Sequence, residues 1–534
     1  MNPLLLTDFY KVHHNKMYPE GMTKLYSNFT PRKSRIPGVD KVVFFGLQHF
    51  ILEYLIKKFD DEFFKKATYR HEGRVTLVNL AIEGGRQAAK REMSKNYAKH
   101  IGVDTKHIEA LWDLGYLPIE IKAVPEGTQV PIGVPCFTIT NTHPDFGWLT
   151  NYLETLISCM MWQPITSATI AYEYKKLLTK YALETTGSAD FVQWQGHDFS
   201  MRGMSSVESA ILSGMGHLLS FTGTDTIPAI YQLEESYNAE GLIGASVPAT
   251  EHSVMCMGQK ESEIETFKRL LNLYPTGILS VVSDTWDLWR VLCEYLPAIK
   301  DQILAREGKL VIRPDSGDPV DILCGHGVSR RIVEKGSQKI LDKGTDFSFL
   351  CSDEIFTKTD LKDGYKPYDY KPEHKGVIEL LWDTFGGTTN KYGYKELDFH
   401  IGAIYGDSIT LDRAKAICER LKAKGFASTN VVLGIGSYTY QYNTRDTFGF
   451  AMKATYGEVN GEGREIFKDP ITDDGTKKSK KGLLMVGYDE DGLMQVRDQQ
   501  TWEQEKSGIL ETVFKDGKLV KTTTLEEIRN RLKI

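Results

Sequence analysis

Between about residues 148 and 434 the sequence repeats one unit: an apolar run, then polar or charged residues, then in most cases text with helical periodicity. Seven runs end this way, at His197-Asp198-Phe199, Gly223-Thr224-Asp225, Gly244-Ala245-Ser246, Ser283-Asp284, Arg313-Pro314-Asp315-Ser316-Gly317, Gly406-Asp407-Ser408 and Gly434-Ile435-Gly436-Ser437. The clearest are ILSVVSDTWDLWRVL, KLVIRPDSGDPVDIL and FHIGAIYGDSITLDRAKAICERLKAKG; in the last, Thr410 is placed to cap a helix that Gly425 ends. Strands that alternate with helices pair in parallel, with the helices covering the sheet. A single acid after a strand is explained as a helix cap. Polar residues at the same topological position in run after run instead predict an α/β barrel whose loops converge on one site at one rim.

The text on either side differs. A helix-like stretch over 166–184 precedes the runs, and a polar helical stretch covers 78–98. Between 117 and 142, LPIEIKAVPEGTQVPIGVPCFTITNT is rich in Ile, Val and Thr with Pro/Gly punctuation, the pattern of antiparallel strands in a separate, sheet-containing domain. Residues 351–395 are rich in Tyr, Lys and Asp and are read as an excursion on the barrel surface. From 435 onward come scattered cations, short strand-like runs, a hairpin around Asp516-Gly517 and a closing polar helix. At 534 residues, 41% hydrophobic and 25% charged, the chain buries a large core in more than one domain. Its 65 basic and 71 acidic residues give a net charge of −6, which leaves no broad nucleic-acid footprint. MNPLLLTDFYK reads as neither signal peptide nor membrane span, so a cytoplasmic protein is expected, off the membrane, with its seven cysteines reduced and mostly buried.

His252, in IGASVPATEHSVMC (243–256), is the candidate chemical centre, because an imidazole there can carry a proton, bind a metal or accept a phosphate. The loops at Gly406-Asp407-Ser408 and Gly434-Ile435-Gly436-Ser437 have small residues where backbone amides can approach an anion, as in barrel-type phosphate seats. Thr439 stands where a dinucleotide fingerprint needs its third glycine, and no Walker A lysine pattern occurs. On residue physics alone Tyr10 is a half-buried packing residue and Arg32 a solvated one.

With these segments laid out, the sequence resembles the nicotinamide phosphoribosyltransferases, which make nicotinamide mononucleotide from nicotinamide and phosphoribosyl pyrophosphate. The resemblance rests on TDFYK, LPIEIKAVPEG, WLTNYLETL, HDFSMRG, FTGTDT, SVPATEHS, SVVSDTWD, IRPDSG, YGDS, GIGS, TRD, FKDP and KKSKKG in that order over nearly the whole chain. It implies a type II phosphoribosyltransferase fold: an irregular α/β barrel over 149–434, and a β-rich domain built from both chain ends, 1–148 with 435–534. It implies a homodimer with active sites at the interface. Phe199 and a second subunit's Tyr10 would sandwich the nicotinamide ring. Asp225 would accept a hydrogen bond from the carboxamide and repel a carboxylate, with Ser246 and Arg313 completing the pocket. Asp315 and Asp407 would serve the ribose, and Gly406, Gly436 and Ser437 the 5′-phosphate. Arg202 and Ser280, with Arg32, Arg445, Lys453 and Lys468 from the second subunit, would serve phosphates. His252 would be phosphorylated by ATP, oriented by Asp284 and Glu251, and Mg2+ would be carried on the substrate phosphates, its direct protein ligands undetermined. Ser408, Ser437 and Tyr438 stand where animal members have more glycine, and the long 351–395 stretch is typical of bacterial or phage-like forms. The alternatives are a nicotinate phosphoribosyltransferase, which Asp225 argues against, and a catalytically idle nucleotide-binding or signalling protein.

Overall fold

Six of the apolar runs form one parallel sheet. The strands are β1 (Gly196–Asp198), β2 (Gly223–Thr224), β3 (Thr276–Val282), β4 (Glu307–Arg313), β5 (Ile401–Tyr405) and β6 (Val431–Ile435), in the order β2-β1-β6-β5-β4-β3. They are seen in a computed structural model that describes residues 1–64, 83–102, 104–326, 332–333, 340–341, 371–406, 408–468 and 480–534. The seventh run joins the two ends of this sheet. Ala245 bridges Gly223 and Ala249 bridges Ser280, both in parallel sense. The backbone bonds are Thr224 N to Ala245 O (3.0 Å), Ala245 N to Thr222 O (2.8 Å), Ser280 N to Pro248 O (2.9 Å) and Thr250 N to Ser280 O (3.0 Å). Pro248 has no N–H to give, so this segment pairs at isolated points rather than as a regular strand. The result is the irregular α/β barrel expected from the sequence.

Strand residues Val281, Leu310, Ile312, Ile401, Leu433 and Ile435 are fully buried, and Phe267, Val377, Ile417 and Leu421 of the surrounding helices close over the same core. The helix Leu411–Ala423 begins where expected, with the Thr410 hydroxyl accepting from Arg413 N at 3.3 Å, and Gly425 follows its end at φ +76. Such a cap contributes about 1 kcal/mol.

Beside the barrel lies a seven-stranded sheet, ordered Glu462–Glu465, Ala451–Val459, Met22–Thr30, Phe137–Asn141, Ile119–Ala123, Glu511–Lys515 and Lys518–Leu519, so it draws on both ends of the chain. Its pairings are antiparallel. Phe29 stacks between Phe137 and Phe450 at centroid distances of 5.0 and 5.3 Å, which binds three neighbouring chain segments through one aromatic column. The last hairpin turns on Asp516 (φ 49) and Gly517 (φ 78), the positive-φ pair that a two-residue hairpin requires.

Three expectations need correction. The stretch at 166–184 is part of a 33-residue helix, Glu154–Thr186, which passes through Pro164 and ends at Gly187 with φ 74. It is buried on most sides, so it lacks an amphipathic rhythm, and its proline reads as a stop. Of 351–395, residues 351–370 lie outside the described residues. Pro372–Phe385, however, is a helix kinked at Gly376 whose Val377, Ile378 and Leu381 are buried in the barrel core, and so it is barrel coat rather than surface excursion. Among the described residues six cysteines are free; Cys136, Cys324 and Cys418 are buried, but Cys159, Cys256 and Cys293 are exposed. No helix among the described residues is long and apolar enough to cross a membrane.

Glu126 ties the two parts of the molecule together. Its wholly buried carboxylate accepts from Gly46 N (2.7 Å), Gln48 N (2.6 Å) and the Tyr237 hydroxyl (2.9 Å), while Arg531 bonds its carbonyl (3.0 Å). Burial pushes this carboxyl up to about 7 against those hydrogen bonds and the Arg531 charge. The unfolded chain releases the proton near 4.5, so between pH 4.5 and about 7 the folded state holds a proton that the unfolded state has lost. Stability should therefore fall as pH rises through that window. Urea midpoints measured across it should show this slope, and Glu126→Gln should flatten it.

Candidate active site

The polar residues at the strand ends meet at one mouth of the barrel. At the end of β1, Asp198 is fully buried and its carboxylate accepts from Ser200 N (2.9 Å) and the Thr226 hydroxyl (2.8 Å), tying β1 to the loop after β2. Phe199 N bonds Ile435 O at 3.0 Å, and Asp225 N bonds Asp198 O at 3.0 Å. These backbone bonds fix where the Phe199 ring and the Asp225 carboxylate emerge. Asp225 Oδ1 then accepts from His197 Nε2 (2.9 Å) and from the Ser246 hydroxyl (2.5 Å). Partial burial would raise the Asp225 carboxyl, but these two hydrogen bonds, the His197 ring and the nearby Arg313 charge outweigh it and hold the group below the usual carboxylate range. The Arg313 guanidinium lies 4.9 Å from the Phe199 ring centre, and the His197 ring is 4.5 Å from it at 34°. A flat face, a fixed anion and a fixed cation thus stand together in one pocket. Behind it His217 bonds the Tyr440 hydroxyl (2.7 Å) and Gly223 O (3.0 Å), and burial lowers it to about 4, so it is a neutral support.

His252 opens a short helix just beyond the bridging segment and is about half exposed. The expectation that Asp284 and Glu251 orient it is not met in this geometry. Glu251 is bonded to its neighbour Ser253, and Asp284 Oδ2 accepts from Asp315 N and Ser316 N, both at 2.8 Å, and from the Ser316 hydroxyl. The groups that face the imidazole are Thr285, with Oγ1 3.3 Å from Nδ1, and Asp315, with Oδ2 3.7 Å from Nε2. Asp284 instead shapes the turn that carries Asp315, because a carboxylate can collect several N–H donors at once. Burial and the neighbouring Asp315 and Asp284 charges raise the Tyr405 hydroxyl to about 12, which places that hydroxyl among the same acids.

The small residues of the late loops are required by close approach. A Cβ on Gly406 would fall 2.0 Å from Asp315 Oδ1 and 3.0 Å from Arg313 Nε, and one on Gly434 would fall 2.5 Å from Tyr405 O. Gly436 precedes the short helix Ser437–Tyr440, and Ser437 packs against Gly203, one residue after Arg202. Gln441 holds that loop in place by accepting from Ser205 N (2.9 Å) and the Ser209 hydroxyl (3.2 Å). Asp407 lies outside the described residues. Ser280 sits within β3, and its hydroxyl, like Asp284 Oδ1 and Arg313 Nε, is buried with no hydrogen-bond partner among the described residues.

Four predicted cations gather elsewhere, and Tyr10 has neighbours of its own. Lys453, on the strand Ala451–Val459, has its ammonium pushed down by burial and by the nearby charges of Lys468, Arg32 and Arg445, against Glu154, so these cations form one cluster. Tyr10 is 60% exposed and touches the His14 ring and Lys11, not Phe199. Two residues at the mouth were not singled out from sequence as site residues: His197 and Thr285. For His197 the signal was there, since residues two apart on a strand point the same way and Phe199 was already a candidate.

Solved structures share this architecture. The nicotinate-nucleotide pyrophosphorylase of Pyrococcus furiosus aligns over 99% of this chain and 95% of its own at TM-score 0.55 and 14% identity. Human nicotinic acid phosphoribosyltransferase aligns over 98% and 92% at TM-score 0.50 and 13% identity. The molecule has the type II phosphoribosyltransferase fold. A profile of the nicotinate phosphoribosyltransferase (NAPRTase) family matches residues 194–518, and one of the nicotinamide phosphoribosyltransferase N-terminal domain matches residues 2–72. A protein named nicotinamide phosphoribosyltransferase from Acinetobacter baylyi is 49% identical over 544 residues, 100% of this chain and 97% of the relative. One of the same name from Mycoplasma pneumoniae is 35% identical over 508 residues, 92% of this chain and 96% of the relative. The chain is an enzyme and belongs to the nicotinamide phosphoribosyltransferases, within the wider nicotinate phosphoribosyltransferase family.

The Gly203–Ser437 approach can be tested alone. A Cβ on Gly203 would lie 2.0 Å from Ser437 Oγ. Gly203→Ala should lower the thermal midpoint by the equivalent of about 1–3 kcal/mol. Adding Ser437→Gly should restore most of it.

Proposed function

We propose that this protein transfers the phosphoribosyl group of phosphoribosyl pyrophosphate to nicotinamide, releasing pyrophosphate and nicotinamide mononucleotide. The observation that carries this reading is the ionised Asp225, held at Oδ1 by His197 and Ser246 beside the Phe199 ring. A carboxamide NH2 can donate to such an anion; the carboxylate of nicotinic acid meets a like charge at a cost of several kcal/mol. The base would lie on Phe199, its other face covered by Tyr10 from a second copy of the chain, with Arg313 at the rim. Asp315 and Asp407 would hold the ribose hydroxyls. Gly406, Gly436 and Ser437 would hold the 5′-phosphate, and Arg202, Ser280 and the Arg32, Arg445, Lys453 and Lys468 cluster of the second copy the remaining phosphates. The pyridine nitrogen forms its bond to the anomeric carbon as the bond to pyrophosphate breaks, and the fixed cations stabilise the departing charge.

Among the described residues no group of three or more His, Cys, Asp or Glu could hold a metal ion. The buried, unpartnered Asp284 Oδ1 and the Asp315 carboxylate still fit a Mg2+ that takes its other oxygens from substrate, where it would neutralise pyrophosphate charge. His252 would accept the γ-phosphate of ATP, its ring nitrogen bonding phosphorus as ADP leaves. Thr285 against Nδ1 leaves Nε2, on the Asp315 side, as the nitrogen for that bond.

Purified protein with nicotinamide, phosphoribosyl pyrophosphate and Mg2+ should yield the mononucleotide and pyrophosphate; no product would overturn the reading. Asp225→Ser should raise kcat/KM for nicotinic acid relative to nicotinamide by roughly ten- to a hundredfold, or about 1.4–3 kcal/mol. An unchanged ratio would remove Asp225 from selectivity. With His252→Ala, ATP hydrolysis should be lost while basal synthesis survives at lower efficiency, and ATPase activity at the unsubstituted level would point to another acceptor.

A further inference from the structure

His197 makes a contact that the residue roles above leave unused. Its ring is nearly enclosed, with a side-chain exposure of 10% against 45% for Asp225. A Cβ on Gly223 would fall 2.7 Å from His197 Nδ1, so the β2 backbone packs directly against that edge of the ring and leaves it little room to turn. The Phe199 ring lies 4.5 Å from the imidazole. From this position Nε2 reaches Asp225 Oδ1 at 2.9 Å. Asp225 is held ionised, and a carboxylate can only accept, so Nε2 carries the proton and donates it. The Ser246 hydroxyl donates to the same oxygen at 2.5 Å. Both protein donors therefore converge on Oδ1, and among the described residues no hydrogen bond reaches Oδ2. The half-exposed carboxylate is thus held through one of its two oxygens.

We propose that His197 is a positioning residue for base recognition: by holding Asp225 Oδ1 it turns Oδ2 toward the carboxamide of the bound base. This rests on the reading of Asp225 given above. Without the imidazole, Ser246 alone would anchor Asp225. Its hydroxyl is on an exposed residue and can rotate, so the carboxylate would sample other rotamers and swing toward Arg313. Affinity for the base would fall, while groups that bind the sugar and phosphates would keep their places.

The test compares His197→Ala and His197→Gln with the unsubstituted enzyme, each by steady-state kinetics and by calorimetric titration with nicotinamide. A hydrogen bond to a charged group of this kind corresponds to a change on the order of ten- to a hundredfold. His197→Ala should raise the KM and Kd for nicotinamide by about that factor, with a much smaller change in kcat and in the KM for phosphoribosyl pyrophosphate. His197→Gln, which keeps an N–H donor at similar reach, should recover most of the loss. In an Asp225→Asn background His197→Ala should add little, because the residue acts through Asp225. An unchanged nicotinamide KM in His197→Ala would overturn the proposal, as would equal shifts in both KM values, absence of recovery in folded His197→Gln, or full additivity with Asp225→Asn. Failure of the unsubstituted enzyme to use nicotinamide would instead overturn the functional reading itself, and calorimetry with the base keeps the two failures apart.

Discussion

The site depends on how residues 245–250 are held between β2 and β3. Four backbone hydrogen bonds seat this segment, two on each side, at about 0.5–1.5 kcal/mol each. That energy is modest, but the consequence is large. The segment delivers Ser246 to Asp225 at one edge and His252 to Asp315 and Thr285 at the other. Were it to leave the sheet edges, the Ser246–Asp225 contact and the histidine that faces Asp315 would be lost together. Its irregularity has a function of its own: with Pro248 breaking the ladder, the chain can carry two site residues in different directions within seven positions.

Charge is distributed so that each sign keeps its place. Asp225 is stabilised as an anion by donors on one oxygen, Asp284 spends one oxygen on the backbone of the 315–316 turn, and Arg313 lies over an aromatic face. None of these arrangements is a simple ion pair, and each leaves part of the charged group available. The cations around Lys453 do the opposite: they crowd one another, and burial with that crowding lowers the Lys453 ammonium. A group of cations that crowd one another in this way is consistent with an anionic ligand, and phosphates are the anions in the proposed reaction.

The strand ends were legible because two signals coincide there: an apolar run stops, and a chemically active residue follows. The barrel and the mouth residues Phe199, Asp225, Ser246, Arg313 and Asp315 all carried that double mark, and His252 stood out by its own chemistry just beyond the Ser246 run. The partner of His252 did not. Asp284 and Asp315 are both acids at strand ends and Glu251 adjoins His252 in the chain, and choosing among them needs the fold of the 313–317 turn, which Asp284 itself builds. The helix Glu154–Thr186 was only half legible, since burial on most sides erases the 3.6-residue rhythm that sequence reading relies on. The helix Pro372–Phe385 was hidden for the opposite reason: its polar face, next to a charged stretch, masked the short Val377, Ile378 and Leu381 stripe that packs on the barrel.

Three polar atoms near the mouth, Ser280 Oγ, Asp284 Oδ1 and Arg313 Nε, are buried with no hydrogen-bond partner among the described residues. A buried group left unpaired costs on the order of 1–3 kcal/mol, and a folded chain keeps few of them. Three in one small region therefore represent stability given up at a defined place. Removing them by apolar substitution would make the barrel more stable and leave it without the groups that a sugar phosphate can satisfy. In the proposed reaction a substrate of matching polarity would recover that cost, and donors and acceptors already in position would need little reorganisation. This is why the barrel wall can be packed tightly around fully buried Val281, Ile312 and Ile435 while the polar atoms at its rim stay unsatisfied.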